Sequence, residues 1–142
     1  MSPIIRPATA DDLPALLEIE RQCFSHQRWR TEDFLAAECV LAETDGRVIG
    51  FLVSRQVFSG DGSDLPEREI LNLAVTPSFR RIGIAKTLLE HELKQKAAFF
   101  LEVRESNRAA QELYRSVGFT EIGRRPEYYQ KPREGAIVMR MK

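Results

Sequence analysis

The chain has 142 residues, a length that fits one domain (residues 1–142) with its own core, whereas two separate folds would each be marginally stable. Its 21 lysines and arginines equal its 21 aspartates and glutamates, so no overall charge attracts nucleic acid or a membrane surface. No apolar run reaches membrane-spanning length and the amino end lacks a basic start followed by an apolar core, so we expect a cytoplasmic protein without membrane contact.

The amino-terminal segment predicts a short strand and then an amphipathic helix. The strand is IIRP at residues 4–7, and the helix covers TADDLPALLEIERQCF at residues 9–24. Thr9 or Asp11 can cap the helix. One face collects mostly apolar positions: Leu13, Leu16, Leu17, Glu20 and Phe24.

The next segment predicts a second helix and a β-hairpin. RTEDFLAAE at residues 30–38 favours a short helix, and residues 39–58 contain two β-branched runs. The runs are joined by Asp45-Gly46, a dipeptide typical of tight hairpin turns because both positions tolerate positive φ. The early hairpin requires that part of the sheet be antiparallel.

The second half of the chain alternates strands with helices. We predict a polar loop at 60–69, a strand at 70–75, a helix at 85–96, a strand at 97–103, a helix at 106–119 stopped by Gly118, and strands at 120–125 and 136–141. The order indicates a mixed α/β (α+β) fold.

A strand that runs directly into a helix, NLAVTPSFRRIGIAKTLLEHEL, carries a candidate anion site. The first-turn amides of a helix lack internal partners and attract negative charge, and small residues at Gly83 and Ala85 leave them accessible. Arg80 and Arg81 add positive charge. The spacing is neither GxGxxG nor a nucleoside triphosphate P-loop, so a pyrophosphate cradle for another cofactor remains. Taken alone, the motif is equally compatible with a tight turn and solvated arginines.

Two further residues are candidates for proton transfer. Period-2 alternation in FFLEVRES places Glu102 in an otherwise apolar strand, where partial burial would penalise its charge and suit a general base. Alternatively, Glu102 only marks the solvent-exposed end of the strand. Tyr114 lies on the apolar stripe of the following helix with a hydroxyl that needs a partner. By spacing alone it is most often a core residue.

Three stretches together carry a resemblance to a known family: NLAVTPSFRRIGIAKTLLEHEL, LEVRESNRAAQELYRSVGF and GRRPEYYQ. They resemble the GCN5-related N-acetyltransferase (GNAT) superfamily and, within it, the RimI-type ribosomal-protein-alanine N-acetyltransferases. The family's Q/R-x-x-G-x-G/A loop matches at Arg80, Gly83 and Ala85. The LEVR-SN-A---LY---GF run is more specific and points to the RimI branch.

The resemblance implies a fold and a cofactor. The fold is a central, twisted, mixed but mostly antiparallel sheet of about six or seven strands, with helices on both faces and a splayed strand pair that holds acetyl-coenzyme A. The segment between Gly83 and Glu102 is several residues shorter than in typical RimI-type enzymes. The implied cofactor-binding residues are Leu73, Ala74, Val75, Arg80, Arg81, Ile82, Gly83, Ile84, Ala85, Lys86, Asn107 and Tyr114.

The resemblance also assigns roles in the reaction. Glu102 matches the family's general base and Tyr114 its general acid, and backbone amides near Val75 could stabilise a developing oxyanion. Tyr128 and Tyr129 match a tyrosine pair that borders the acceptor cleft, although hairpin packing explains either equally well. Arg124 and Arg125 fit a solvated strand end.

The implied acceptor is the N-terminal α-amino group of a protein or peptide, with a ribosomal protein as one candidate. The alternatives are a small-molecule amine, a lysine side chain, or a non-catalytic acyl-coenzyme A-binding regulatory domain. We expect a monomer or weak dimer and no metal. Cys23 and Cys39 favour reduced structural thiols, and His26 and His91 fit surface or core polar positions.

Overall fold

The computed structural model describes residues 2–24, 29–57, 65–130 and 133–141. His26 and residues 60–64 of the predicted loop lie outside these ranges. The described elements follow in chain order: β1 Ile4–Pro7, α1 Leu13–Cys23, α2 Thr31–Leu35, β2 Glu38–Thr44, β3 Arg47–Val57, β4 Glu67–Val75, α3 Ile84–Glu92, β5 Ala98–Arg104, α4 Arg108–Ser116, β6 Thr120–Tyr129 and β7 Glu134–Met141. Single 3₁₀ turns at Ala10–Asp12 and Pro77–Phe79 precede α1 and α3.

The described strands form one seven-stranded sheet in the order β1-β2-β3-β4-β5-β7-β6. Among these strands only β4 and β5 pair in parallel, and the other neighbours are antiparallel. The predicted mixed, mostly antiparallel sheet is therefore confirmed. None of the helices in the described ranges is long and apolar enough to cross a membrane.

Helices cover both faces of the sheet, as expected. On one face, Leu88 and Leu89 of α3 pack with Phe99 and Leu101 of β5 and with Tyr114 of α4. On the other face, a second apolar cluster joins α1 and α2 to the sheet: Leu16, Ile19, Phe34, Leu41, Phe51, Val53 and Ala74. Each face therefore has its own core, and the sheet separates the two.

The turns confirm the local sequence signals in part. Asp45 and Gly46 adopt φ of 50° and 77°, so the predicted hairpin turn joins β2 and β3. Thr9 begins the 3₁₀ turn, and its backbone N donates to Asp12 Oδ2 at 2.8 Å. Asp11 is not the cap. The α-helix itself begins at Leu13, later than the predicted residue 9.

Strand β4 begins at Glu67, three residues before the predicted start, because its polar residues have buried partners. Arg68 is 4% exposed, and its Nε lies 3.2 Å from Oε2 of Glu92 in α3. Its Nη2 donates to Ser54 Oγ at 2.9 Å, and Ser54 Oγ donates to Glu92 Oε2 at 2.6 Å. The arginine is thus buried with its charge compensated, which the residue types alone do not indicate.

Strand β6 continues to Tyr129, four residues beyond the predicted end. Pro126 lies within it, which is tolerated because β6 is an edge strand and has no second neighbour to receive a hydrogen bond. Glu127 adopts φ of 53°, and the register against β7 shifts between Arg125 and Tyr129. The hairpin therefore bends here.

Helices α2 and α3 are shorter than predicted. Helix α2 ends at Leu35 instead of residue 38, because Glu38 already pairs in β2. Helix α3 ends at Glu92 instead of residue 96, and buried Ala97 leads into β5. The polar residues 94–96 supply no apolar face that would hold a further helical turn on the sheet.

Candidate active site

Strands β4 and β5 diverge towards their carboxyl ends and leave an open wedge. Their pairing runs only from Glu67↔Ala98 to Ile70↔Leu101, although β4 continues to Val75 and β5 to Arg104. A cleft of about 600 Å³ occupies the opening. The backbone at the ends of both strands therefore borders a space that a ligand can enter.

Most of the predicted site residues meet in this cleft. Those that line it are Leu73, Ala74, Val75, Arg80, Ala85, Glu102, Asn107, Tyr114 and Tyr129. Those outside its lining are Arg81, Ile82, Gly83, Ile84, Lys86 and Tyr128. Ile84 is buried in the core beside Leu88, whereas Ile82 is 66% exposed.

The β4 edge presents its backbone to the wedge at alternate residues. Thr76 N donates to Ile49 O on the β3 side at 2.8 Å. Because backbone groups alternate in direction along a strand, Val75 and Leu73 direct theirs into the wedge, and Ala74 directs its own towards β3. Of the three predicted residues, Leu73 therefore offers its N–H and C=O to a ligand. Val75 offers only its N–H, because its carbonyl oxygen already has donors.

The loop before α3 is shaped for an approaching anion. Gly83 adopts φ of 87°, and a Cβ built there would meet no atom within 4 Å. Glycine is thus favoured by the backbone conformation, and the space above it is open. Thr87 donates to Gly83 O through both N (2.9 Å) and Oγ1 (2.8 Å), which closes the first turn of α3. The first-turn amides of this nine-residue helix lack acceptors within the helix, as at any helix start.

Arg80 folds back across the end of β4. Its Nε donates to Val75 O at 3.1 Å, and its Nη2 lies 3.1 Å from Cys23 Sγ. Cys23 Sγ in turn donates to the same carbonyl at 3.4 Å. A guanidinium is therefore fixed at the junction of the wedge and the anion loop, where a phosphate would be attracted.

Glu102 lines the cleft with one carboxylate oxygen held by an arginine and the other buried without a partner among the described residues. Its side chain is 12% exposed, and Oε1 lies 3.5 Å from Nη2 of Arg125. Among the described residues, its buried Oε2 has no hydrogen-bond partner. Leu101 and Val103 point into the α3 and α4 core, so strand alternation turns Glu102 to the opposite face, where α1 lies. A buried acceptor of this kind is suited to take a proton from a bound group.

The β6–β7 hairpin closes over Glu102. Tyr129 is covered by the Arg104 guanidinium, 4.3 Å from the ring centroid, and it contacts Tyr128 with ring centroids 5.1 Å apart. Burial, followed by the charge of Glu102, raises the pKa of Tyr129 to about 12, and the same two causes raise the pKa of Tyr128. Both tyrosines remain protonated donors. Both tyrosines therefore pack within the hairpin, and only Tyr129 also lines the cleft.

Tyr114 approaches the wedge from the other face of the sheet. The residue is 9% exposed, and its ring packs edge-on against Phe119 at 5.8 Å. Burial raises the pKa of Tyr114 to about 12, so the hydroxyl keeps its proton at neutral pH. Glu102 and Tyr114 therefore reach one cleft from opposite faces, which the wedge between β4 and β5 makes possible.

Asn107 has a structural contact in addition to its place in the cleft. It is the N-cap of α4, and its Oδ1 accepts a hydrogen bond from Ala110 N at 3.1 Å. Removal of such a cap costs about 1 kcal/mol. A ligand contact by Asn107 must therefore coexist with its role in starting α4.

Several further residues line the cleft although no sequence motif marks them as site residues, among them Glu20, Cys23, Trp29, Asn72 and Arg104. Glu20 had a visible signal, since it is a carboxylate on the apolar stripe of α1. Arg125, interpreted as a solvated residue, contacts Glu102 although its side chain is 57% exposed. Arg124 does fit the solvated interpretation, with its exposed guanidinium 3.0 Å from Glu121.

The remaining candidates are the two cysteines and His91. Cys23 and Cys39 are free thiols, and burial raises the pKa of Cys39 to about 12, so it is unreactive. His91 is exposed on α3. Within the described ranges, no group of histidine, cysteine, aspartate and glutamate side chains is arranged to hold a metal ion.

The site combines a splayed parallel strand pair, a glycine loop that starts a helix beside it, and a carboxylate that lines the cleft. These features are expected of an acyl-coenzyme A-dependent transferase. The sequence matches the acetyltransferase (GNAT) family over residues 10–119. The chain therefore belongs to the acetyltransferase (GNAT) family, and it is an acetyl-coenzyme A-dependent N-acetyltransferase. The enzyme and cofactor predictions are confirmed.

Relatives with known activity and structure agree with this membership. The chain is 36% identical to the ribosomal protein bS18-alanine N-acetyltransferase of Escherichia coli K12, covering 90% of this chain and 89% of that protein. The crystal structure of the Escherichia coli ribosomal-protein-S18-alanine N-acetyltransferase superposes with a TM-score of 0.83 at 31% identity, covering 98% of this chain and 92% of that one.

A more distant structure shares the fold. Arabidopsis thaliana Naa50, solved in complex with the bisubstrate analogue CoA-Ac-MVNAL, gives a TM-score of 0.85 at 23% identity, covering 100% of this chain and 99% of that one. The resemblance to RimI-type enzymes predicted from three sequence stretches is confirmed by the Escherichia coli relative over nearly the whole chain.

Proposed function

We propose that this enzyme acetylates the N-terminal α-amino group of a protein or peptide, with a ribosomal protein as the first candidate. The proposal rests on one observation about Glu102. This residue lines the same cleft as Tyr114, and its buried Oε2 has no hydrogen-bond partner among the described residues. The Escherichia coli relative, named for the alanine of ribosomal protein bS18, supports the acceptor class.

The cleft fits acetyl-coenzyme A on features of this chain alone. The backbone N–H and C=O of Leu73 border the wedge and can pair with the amides of the pantetheine arm. The open space above Gly83, the first-turn amides of α3 and the guanidinium of Arg80 suit a pyrophosphate. Asn107 and Ala85 border the same cleft. When bound, acetyl-coenzyme A supplies the acetyl group as a thioester.

Proton transfers are assigned to two side chains. Glu102 accepts a proton from the acceptor amine through Oε2, since an amine is nucleophilic only after it is deprotonated. Tyr114 donates the proton of its hydroxyl to the leaving sulfur, and its pKa of about 12 keeps that proton available at neutral pH. The N–H of Val75, directed into the wedge, is placed to donate a hydrogen bond to a carbonyl oxygen there.

The basicity of the acceptor favours an α-amino group. Its reference pKa is about 8, against about 10.4 for a lysine side chain, so lysine costs roughly 3 kcal/mol more to deprotonate. A single carboxylate base therefore suits a protein N-terminus better than a lysine side chain. Tyr128 and Tyr129, beside Glu102 on the β6–β7 hairpin, are proposed to contact the acceptor.

A thiol-release assay with matched acceptors tests the proposal. One peptide begins with Ala-Arg and contains an internal lysine, the second is the same peptide with an acetylated N-terminus, and the third acceptor is a polyamine. We expect coenzyme A release with the first only, and one added acetyl group on its α-nitrogen by mass spectrometry. Turnover of the blocked peptide or of the polyamine at an equal rate would assign a lysine or small-molecule acceptor instead.

A further inference from the structure

Glu20 on α1 is a buried carboxylate in the cleft that the proposed proton transfers do not use. The residue is 2% exposed. Its Oε1 accepts a hydrogen bond from Asn72 Nδ2 at 2.8 Å, and its Oε2 accepts one from Trp29 N at 2.8 Å. Burial of a carboxylate costs free energy unless it is hydrogen-bonded, so the hydrogen bonds from Asn72 and Trp29 are what make the burial of Glu20 tolerable.

The two hydrogen bonds connect three separate segments at one wall of the cleft. Glu20 belongs to α1, Trp29 precedes α2, and Asn72 lies on β4 just beyond the last residue paired with β5. All three line the cleft together with Glu102. Glu20 therefore fixes one wall of the site at the point where β4 starts to diverge.

This wall lies on the face of the sheet to which Glu102 points. Asn72 reaches α1 on that face, and Glu102 is turned towards it by strand alternation. The anion loop and α3 begin on the other face, where Ile84 and Leu88 pack. An amine that reaches Glu102 thus approaches along the wall of Glu20, Trp29 and Asn72, whereas the phosphates bind on the α3 side.

Trp29 is held on two sides. Its ring packs edge-on against Phe34 at 5.2 Å, and Phe34 packs against Phe51 at 5.2 Å in the α1 and α2 core. Glu20 holds the Trp29 main chain from the cleft side. Without Glu20, the ring contact alone would not fix where the backbone at residue 29 borders the cleft.

We propose that Glu20 is a positioning residue for the acceptor: its carboxylate tethers Trp29 and Asn72 and so shapes the wall along which the amine reaches Glu102. The proposal rests on the proposed function in one respect, that the amine approaches Glu102 from the α1 face. The tether acts through hydrogen bonds, and its effect is on acceptor binding and not on cofactor binding.

Two substitutions separate hydrogen bonding from charge. A glutamine side chain in place of Glu20 can accept from Trp29 N through its oxygen and donate its amide N–H to Asn72 Oδ1 once the Asn72 amide rotates. Glu20→Gln therefore keeps the tether without the charge, whereas Glu20→Ala removes both. Glu18→Ala is the matched control, because Glu18 lies on the exposed side of α1 and pairs with Arg21.

Steady-state kinetics provide the first test. We expect Glu20→Ala to raise the KM for the peptide acceptor about 10-fold or more, because a lost hydrogen bond to a charged group weakens binding by about this factor. The KM for acetyl-coenzyme A should stay within about twofold of the parent value, because the substitution removes no contact with the cofactor. Glu20→Gln should recover most of the loss, and Glu18→Ala should match the parent. Equal rises in both KM values, or an equal defect in the Gln variant, would overturn the proposal.

Intrinsic fluorescence provides a second test that needs no acceptor, since Trp29 is the only tryptophan of the chain. We expect Glu20→Ala, but neither Glu20→Gln nor Glu18→Ala, to shift the emission to longer wavelength and to increase quenching by acrylamide. Unchanged emission in the Ala variant would contradict the tether. If the parent acetylates no peptide, the proposed function fails while this result still decides whether Glu20 holds Trp29.

A third variant tests the proposal even if Glu20→Ala folds poorly. Asn72→Ala removes one hydrogen bond and leaves the contact between Glu20 and Trp29 N. We expect a smaller rise in the acceptor KM, with unchanged tryptophan emission. A rise in the acetyl-coenzyme A KM alone would place this wall on the cofactor side and refute the proposal.

Discussion

Glu102 and Arg125 meet across an intervening strand. They lie on β5 and β6, which both pair with β7, and Oε1 of Glu102 is 3.5 Å from Nη2 of Arg125. The guanidinium also lies over the ring of Tyr128, 5.2 Å from its centroid. Arg125 thus holds one carboxylate oxygen of a residue that lines the cleft, and this contact fixes the direction of the proposed base.

The first prediction follows from this contact. Arg125→Leu should lower kcat about threefold to tenfold, because a partly exposed ionic contact that orients Glu102 is worth about 1 kcal/mol. Arg124→Leu is the control, since Arg124 pairs with Glu121 on the surface. Kinetics on both variants at saturating acetyl-coenzyme A provide the measurement. Equal activity of the two variants would mean that Arg125 does not orient the base.

A second prediction concerns the proposed acid. Tyr114→Phe should lower kcat by about 10²–10⁴-fold and leave cofactor affinity and melting temperature near those of the parent. The reason is that the ring and its contact with Phe119 remain while the proton donor is lost. Cofactor titration by calorimetry beside steady-state kinetics measures both effects. Parental turnover in Tyr114→Phe would leave Tyr114 as a core residue only.

The anion loop gives a third prediction. Acetyl-coenzyme A should raise the melting temperature of the parent by mass action, and Gly83→Asp should abolish that rise by placing a side chain and a negative charge near the phosphates. Gly46→Asp is matched for backbone strain, since both glycines have positive φ and open space at Cβ. Its cofactor-induced rise should persist. If acetyl-coenzyme A raised the melting temperature of Gly83→Asp as much as that of the parent, the assignment of this loop to phosphate binding would be refuted.

A fourth prediction concerns stability and pH. Arg6 binds both oxygens of Asp12 at 2.9 Å, which holds the pKa of Asp12 at about 2. Because the folded pKa is below the unfolded value of about 4, the contact stabilises the protein above about pH 4, and the gain is lost as pH falls towards 2. Denaturant unfolding should therefore show Asp12→Asn less stable than the parent at neutral pH, with the gap closing below pH 4. A gap that widened in acid would contradict the assignment, and Asp11→Asn serves as the exposed control.

Local patterns predicted most of the fold because each element has its own signal. The Asp45-Gly46 turn, the amphipathic α1 and the apolar β5 were all identified from spacing. What spacing missed depends on distant partners: Arg68 extends β4 because Glu92 compensates its charge. Pro126 stays in β6 because that strand lies at the sheet edge.

The site was predictable only in part. Glu102 and the Gly83 loop stand out locally, as a carboxylate in an apolar strand and a glycine before a helix. Glu20, Trp29 and Asn72 do not, since only the packing of α1 on β4 brings them together. Arg125 likewise becomes a neighbour of Glu102 through the register of β6 on β7, which the sequence does not specify.

The role of Glu102 is the central claim, and one comparison of variants tests it most directly. Glu102→Gln keeps the size of the side chain and removes the proton acceptor, and Glu105→Gln makes the same change at an exposed carboxylate just beyond β5. With a peptide acceptor and acetyl-coenzyme A, we expect kcat to fall about 10²–10⁴-fold in Glu102→Gln, with unchanged cofactor affinity, and to stay parental in Glu105→Gln. Parental turnover in Glu102→Gln would contradict the account.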